Sequence, residues 1–293
     1  MAGRSNGPTT HNDSRKVDPL SYKGFAEPKH LITPADLKAR LDEVALIDVR
    51  AAHDYATGHI EGTAHLDLYG VSLNDTAEAP LNAFLSMFKN LFSMRGVTDA
   101  TTVVFYDGES GERAARGLWL LEVLDHPDAK LLDGGVQAWE EAGYDLTAAA
   151  AAVESAACKG GRRLDRLATR FDVHDAIDDP DVVLLDTRRE AEYRGTEQRA
   201  RRVGTIPGAV HVFWRDHLDA KGAFRPAGEI RELYESRGVT PDKTIIPYCQ
   251  GGYRSANTYL ALKLLGYPKV RNYMGSWGEW GNRDDSVIVL PEG

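Results

Sequence analysis

The chain of 293 residues carries one ordered set of motifs twice, and that duplication limits the folds open to it more than any other feature. Leu46-Ile47-Asp48-Val49-Arg50 matches Leu184-Leu185-Asp186-Thr187-Arg188, and Gly58-His59-Ile60-Glu61-Gly62 matches Gly204-Thr205-Ile206-Pro207-Gly208. Arg95-Gly96-Val97-Thr98 returns as Arg237-Gly238-Val239-Thr240, and residues 134–139 return as residues 275–280. Val103-Val104-Phe105-Tyr106-Asp107 returns as Ile245-Ile246-Pro247-Tyr248-Cys249. The order is kept and the offset hardly changes, so one supersecondary plan is used in tandem.

Each half reads as alternating strands and helices. In the first, Thr33 is placed to cap a helix that begins at Pro34. Strands are expected at 45–49, 102–106 and 130–132, with helices over 113–124 and 136–142. Leu81, Phe84, Leu85, Phe88 and Leu91 recur at helical spacing and paint one apolar face. The second half predicts strands at 182–185, 244–248 and 270–273, and helices near 172–177, 227–236 and 255–265. Strands that alternate with helices imply parallel sheets with helices on both faces, hence an α/β protein of two like domains. Pro247 lacks an N–H for the ladder, so the strand pairing is expected to loosen there.

The stretch Cys249-Gln250-Gly251-Gly252-Tyr253-Arg254 sits between the strand at 244–248 and the following helix. A tight loop there turns successive N–H groups inward, and the helix adds its positive end. A thiol in that ring should ionise near neutral pH, whereas a lone cysteine elsewhere is usually buried and inert. Ligands of parallel sheets bind beyond the carboxyl ends of the strands, which is where Cys249 stands.

The remaining features set the frame. The domains are expected at 25–146 and 162–293, joined by an alanine-rich linker at 147–161 in which Cys158 is exposed. Residues 1–24 are polar and read as a mobile tail. Two cysteines are too few for a disulfide framework or a zinc site, and they fit a reducing cytoplasm. A net charge of −9 argues against nucleic acid, and no apolar run is long enough to span a membrane.

Asp-x-Arg at 186–188, Gly-x-Ile-Pro-Gly-Ala at 204–209, Cys-x-x-x-x-Arg at 249–254 and Gly-Ser-Trp-x-x-Trp at 275–280 together resemble the tandem-domain rhodaneses, the thiosulfate sulfurtransferases. The resemblance runs from about Leu31 to the C-terminus. It implies that Cys249 takes up a sulfane sulfur as a persulfide, and that thiosulfate and a thiophilic acceptor, cyanide or a thiol, are the substrates. It implies no metal or organic cofactor, and a monomer is expected. Carried over by position, Arg188 and Arg254 would contact the anionic donor, with Gln250, Gly251, Gly252 and Tyr253 forming the cradle; His59 is a weaker candidate for the domain cleft. The first domain has Asp107 where the second has Cys249, so it should be catalytically silent.

The loop departs from that of animal thiosulfate enzymes, which have a basic residue where Gly251 stands, and from mercaptopyruvate-specific relatives, whose loop lacks the arginine. A mercaptopyruvate sulfurtransferase is therefore an alternative reading. A cysteine phosphatase or arsenate reductase of the same fold is another, but those loops place arginine six positions after cysteine, where this chain has Ser255. A non-catalytic binding module is the non-enzyme alternative. The basic residues between 188 and 202 could steer a dianion toward the cleft, but a solvated loop is the preferred reading for most of them, and only Arg188 has a separate reason to face the site. His211, Trp139, Trp277 and Trp280 read as structural.

Overall fold

The computed structural model describes residues 22–291. The first half runs β1 (Leu31–Ile32), α1 (Pro34–Lys38), β2 (Val44–Asp48), α2 (Ala52–Thr57), β3 (Ala64–His65), α3 (Glu78–Ser93), β4 (Thr102–Tyr106), α4 (Glu112–Val123), β5 (Ala129–Leu132) and α5 (Gly135–Glu141). The second repeats the series as β6 (Leu167–Ala168), α6 (Arg170–Asp175), β7 (Val182–Asp186), α7 (Glu190–Tyr193), β8 (Val210–His211), α8 (Ala227–Glu235), β9 (Thr244–Tyr248), α9 (Arg254–Leu264), β10 (Asn272–Tyr273) and α10 (Ser276–Trp280). Corresponding elements also begin alike. Thr33 accepts the Asp36 N–H at the head of α1, and Thr169 forms a capping box with Asp172 at the head of α6.

The first sheet has the order β1-β5-β4-β2-β3, and all its pairs are parallel. In the second half, β8-β7-β9 and β6-β10 are separate ladders linked by a single bridge between Ile245 and Val270. That link restores the same order. β4 and β9 are the central strands, and from Val103 to Tyr106 and from Ile245 to Tyr248 every residue is buried, as expected for a parallel strand covered on both faces. Asp107 and Cys249 are the first residues beyond their carboxyl ends.

Three sequence expectations need correction. Pairing at Pro247 loosens on one side only: against β7 the register continues through Leu185 opposite Pro247 and Asp186 opposite Tyr248, whereas toward β10 it is reduced to the Ile245–Val270 bridge. The Ile245 N–H bonds to the Lys269 carbonyl on the side away from β7. Pro247 has the same parity, so its missing N–H falls on that side, where the ladder stops although its counterpart in the first half continues through Phe105. Cys158 is buried rather than exposed (3%), because the connecting segment is strapped along the first domain. The Ala156 N–H bonds to the Ser93 carbonyl, the Cys158 N–H to Ser93 Oγ, and the Lys159 N–H to Asp99. Of the expected tail, residues 1–21 lie outside the described residues, whereas Tyr22 and Lys23 both bond to Asp133.

The two halves share one interior. α4 and α9, the helices that follow the two loops, pack against each other, and Leu118 and Trp119 join Leu260 and Leu262 in a single apolar cluster. Polar ties cross the same interface: Tyr259 Oη donates to Glu122, Asn257 Nδ2 to the Ser110 carbonyl, and Arg215 Nη2 to Glu109 at 2.8 Å. A shared apolar core fixes the halves in one orientation, so a cleft between them has defined walls.

Candidate active site

β9 delivers Cys249 to the floor of a cavity of about 680 Å³ between the halves. The loop around it is held from several sides. The Cys249 N–H bonds to Ser276 Oγ (3.1 Å), and the Trp277 and Gly278 N–H groups bond to the Cys249 and Gln250 carbonyls (2.9 and 2.7 Å). Ser276 has a φ of +51°, a region unfavourable for a side-chain-bearing residue. Its hydroxyl offsets the strain by donating to the Tyr273 carbonyl while accepting from Cys249. Gly252 has a φ of +82°, and a Cβ there would stand 2.9 Å from the Met274 carbonyl oxygen. Only glycine meets both demands.

Within this ring the sulfur is buried but not in hydrocarbon. The Gly252 N–H donates to Sγ at 3.2 Å, and the Ser255 hydroxyl lies at 3.5 Å. Burial pushes the thiol pKa up, yet the Arg254 charge, the Ser255 hydroxyl and the Ser255 and Gly251 amides outweigh it, leaving the value below that of an ordinary cysteine. Such a sulfur can act as a nucleophile, and the inward amides can hold a negative charge one atom further out.

The sequence-predicted site residues separate into two groups. Gln250, Gly251, Tyr253 and Arg254 line the cavity with Cys249, and Gly252 supplies its N–H from the ring. Arg254, however, does not offer a free fork, because it forms a two-armed ion pair with Glu192 (2.6 and 2.9 Å). Tyr253 directs its hydroxyl to the Leu68 and Val71 carbonyls of the first half. A Cβ on Gly251 would lie 2.7 Å from Ser72 Oγ, so the first half fills the space where a basic side chain would project.

Arg188 and His59 are the exceptions. Arg188 is 1% exposed, is clasped by Asp186 and the Gly204 carbonyl, and stacks on Trp277 with its guanidinium 4.2 Å from the ring centroid. Arg50 makes the same clasp with Asp48 and the Gly58 carbonyl in the half that lacks the cysteine. The recurrence of Asp-x-Arg in both halves was the available sign that it braces the fold. His59 is 1% exposed, stacks on Tyr55, and bonds to the Tyr55 and Ala149 carbonyls beneath the connecting segment rather than at the cleft. His211 bonds to the Arg188 carbonyl, and Trp139, Trp277 and Trp280 are buried, in keeping with structural roles.

The cavity has a cationic wall, in which sequence reasoning ranks donor steering by Arg189 and Arg199 second to a solvated loop and misses Arg113. Arg189, paired with Glu192 and Glu197, and Arg199 line the cavity from the second half and Arg113 beside Glu112 from the first, with Tyr69 and Trp214 adding aromatic surface. Arg189 follows the clasped Arg188 in extended backbone, so its side chain leaves in the other direction.

The equivalent loop of the first half has its charges inverted. Asp107 stands at the position of Cys249 and Glu112 at that of Arg254. The Asp107 carboxylate accepts the Gly108 N–H at 2.8 Å, so the cradle already holds an anion of its own. Burial and the neighbouring Glu112 push the Asp107 carboxyl up to about 6, against the pull of the Gly108 and Arg113 amides and the Arg113 charge.

Fold and site together define a tandem α/β protein with one cysteine-bearing anion cradle and one cradle that has been filled. The model of the rhodanese-like domain matches residues 33–142 and again residues 169–283, and the chain belongs to that family. It is 36% identical over 268 residues to the thiosulfate sulfurtransferase of Azotobacter vinelandii, covering 91% of this chain and 99% of that protein. It is 34% identical over 277 residues to the sulfur carrier protein TtuD of Thermus thermophilus, covering 88% of this chain and 96% of that one. Among solved structures, the anaerobic ergothioneine biosynthesis enzyme from Chlorobium limicola, in complex with trimethyl histidine, is similar with a TM-score of 0.83. That match covers 92% of this chain and 72% of the other at 19% identity, and it speaks for the fold alone.

Proposed function

We propose that the protein is a sulfurtransferase that moves a sulfane sulfur from thiosulfate to a thiophilic acceptor through a persulfide on Cys249. The observation that carries the reading is the Cys249 sulfur at the cavity floor, with the Gly252 N–H upon it and Arg254 lowering its pKa. The thiolate attacks the outer sulfur of thiosulfate; the sulfur–sulfur bond of the donor breaks and its electron pair leaves with sulfite. The new terminal sulfur carries the negative charge and sits among the loop amides. A nucleophile such as cyanide or a thiol then attacks that sulfur, and the Cys249 thiolate is restored.

Arg113, Arg189 and Arg199 draw the dianionic donor into an otherwise acidic protein. Arg254 works through its charge, with Glu192 holding it in place. The first domain forms a wall of the cleft and is itself silent, because it has the Asp107 carboxylate where the second has the Cys249 nucleophile. The two-armed Glu192 contact also weighs against a phosphatase, which needs that guanidinium fork for phosphoryl oxygens. A reducing cytoplasm, where the thiol persists, completes the reading.

Intact mass spectrometry after thiosulfate treatment is the direct test. One added sulfur that cyanide removes as thiocyanate, mapped to the peptide holding Cys249, is expected; the same gain in Cys249→Ala would reject the scheme. Running 3-mercaptopyruvate beside thiosulfate separates the two donors.

A further inference from the structure

α4 of the silent half sends one side chain against the loop of the other. Arg116 is wholly buried (0% exposed), and its Nε, Nη1 and Nη2 atoms make no hydrogen bond among the described residues. The guanidinium lies 3.7 Å from the centroid of the Tyr253 ring and 5.9 Å from that of Phe84. Tyr253 is the loop residue just before Arg254, and its hydroxyl is fastened to the Leu68 and Val71 carbonyls. The corresponding residue of α9 is the uncharged Thr258, so the arrangement is one-sided.

An arginine side chain does not give up its proton in a protein. A guanidinium sealed from water and lacking polar partners is costly, and a cation–π contact returns only part of that cost. Balance requires an anion within its field. Tyr253 and Cys249 are the groups whose negative charge would favour it. Burial holds the Tyr253 phenol above its ordinary value, so it stays neutral. That leaves the sulfur.

We propose that Arg116 is a positioning residue that acts through Tyr253, shaping the loop and supplying from across the domain interface a second positive charge for the Cys249 thiolate and its persulfide. The role rests on the thiolate chemistry proposed above. The charged and titratable groups that bear on the sulfur are then Arg254 from α9 with Glu192 of α7 behind it, Tyr253 of the loop and Arg116 from α4, with Glu112 and Arg113 of α4, Arg189 and Arg199 facing it across the cavity. Glu279 of α10, the helix beneath the loop, is engaged by Thr76 and Tyr273. The silent half thus contributes charge to the reaction as well as a wall.

The test is the rate of Cys249 alkylation by iodoacetamide against pH, read by peptide mapping so that Cys158 is counted apart. In Arg116→Met the rate at pH 7 should fall about three- to tenfold and the profile should move to higher pH. Arg116→Lys should recover most of the loss. The KM for thiosulfate should stay within about twofold, because Arg116 does not line the cavity. A Met profile that superimposes on the wild type overturns the proposal, as does a Lys variant displaced as far as the Met one, which would mark a packing role. Should Arg116→Met fail to fold, Arg116→Gln is judged by the same criteria. Alkylation reports on the thiol whether or not sulfur is transferred. A wild-type protein that takes no sulfur from thiosulfate would therefore refute the sulfurtransferase reading and leave this measurement standing.

Discussion

Glu192 and Arg254 meet arm to arm, with Nη1 2.6 Å from Oε2 and Nη2 2.9 Å from Oε1. The arginine that closes the cysteine loop is therefore fixed by the protein and acts on the sulfur by charge rather than by gripping the donor. Arg254→Gln should lower kcat/KM about a hundredfold, and Cys249 alkylation at neutral pH should slow with it. A loss confined to KM would contradict this.

The same pair shapes acid stability. Burial alone would raise the Glu192 carboxyl, but the hydrogen bonds and charge of Arg254, with help from Arg189 and Arg188, hold it at about 2. A carboxyl depressed in the fold adds stability that is present above its ordinary value of 4.5 and lost as pH falls toward about 2. Glu192→Gln should be less stable than wild type at neutral pH, with the difference closing over that acid range in urea melts.

Asp107 carries the opposite sign. Its carboxyl is raised from 3.8 to about 6, chiefly by burial and then by Glu112, so folding binds a proton between those values and the charged form costs stability above them. Asp107→Asn should therefore stabilise the protein by about 1 kcal/mol at pH 7 and by nothing measurable near pH 4. Asp107→Cys should remain inactive in Cys249→Ala, because Glu112 stands where Arg254 would be needed. Thiocyanate formation checks the second point and thermal melts the first.

The two loop glycines should respond differently to alanine. Gly252→Ala meets both a φ of +82° and the Met274 carbonyl, and roughly 2 kcal/mol of stability should go with most of the activity. Gly251→Ala meets only the Ser72 hydroxyl of the other half. Its milder loss should be recovered in the double variant with Ser72→Gly, and an additive result would break that assignment.

Adjacent arginines should split stability from binding. Arg188→Lys forfeits the Asp186 and Gly204 clasp and should cost about 2 kcal/mol while leaving the KM for thiosulfate within about twofold. Arg189→Ala and Arg199→Ala should do the reverse, raising KM about three- to tenfold with small changes in melting temperature. Steady-state kinetics and calorimetry on the three variants decide between them.

Sequence alone carried the repeated α/β plan, the longer strands with most of the helices, and the one loop that can ionise a sulfur; the two-residue strands β1, β3, β6 and β8 and the short helices α2, α7 and α10 were not legible in it. The legible properties are local: apolar periodicity, a threonine cap before Pro34, and a cysteine with two glycines between a buried strand and a helix. Tertiary structure decided which charges reach that sulfur. Arg188 is turned into the core and Arg189 into the cavity, Glu192 occupies Arg254, Ser72 fills the space above Gly251, and Arg116 arrives from the far domain. Ser72 meets Gly251 and Arg116 meets Tyr253 across more than a hundred residues, and Glu192 lies 62 positions from Arg254, whereas pattern along one segment carries no record of what packs against it. His59 and Cys158 taught the same lesson in the connecting segment, where side chains read as accessible are covered by main chain folded over them.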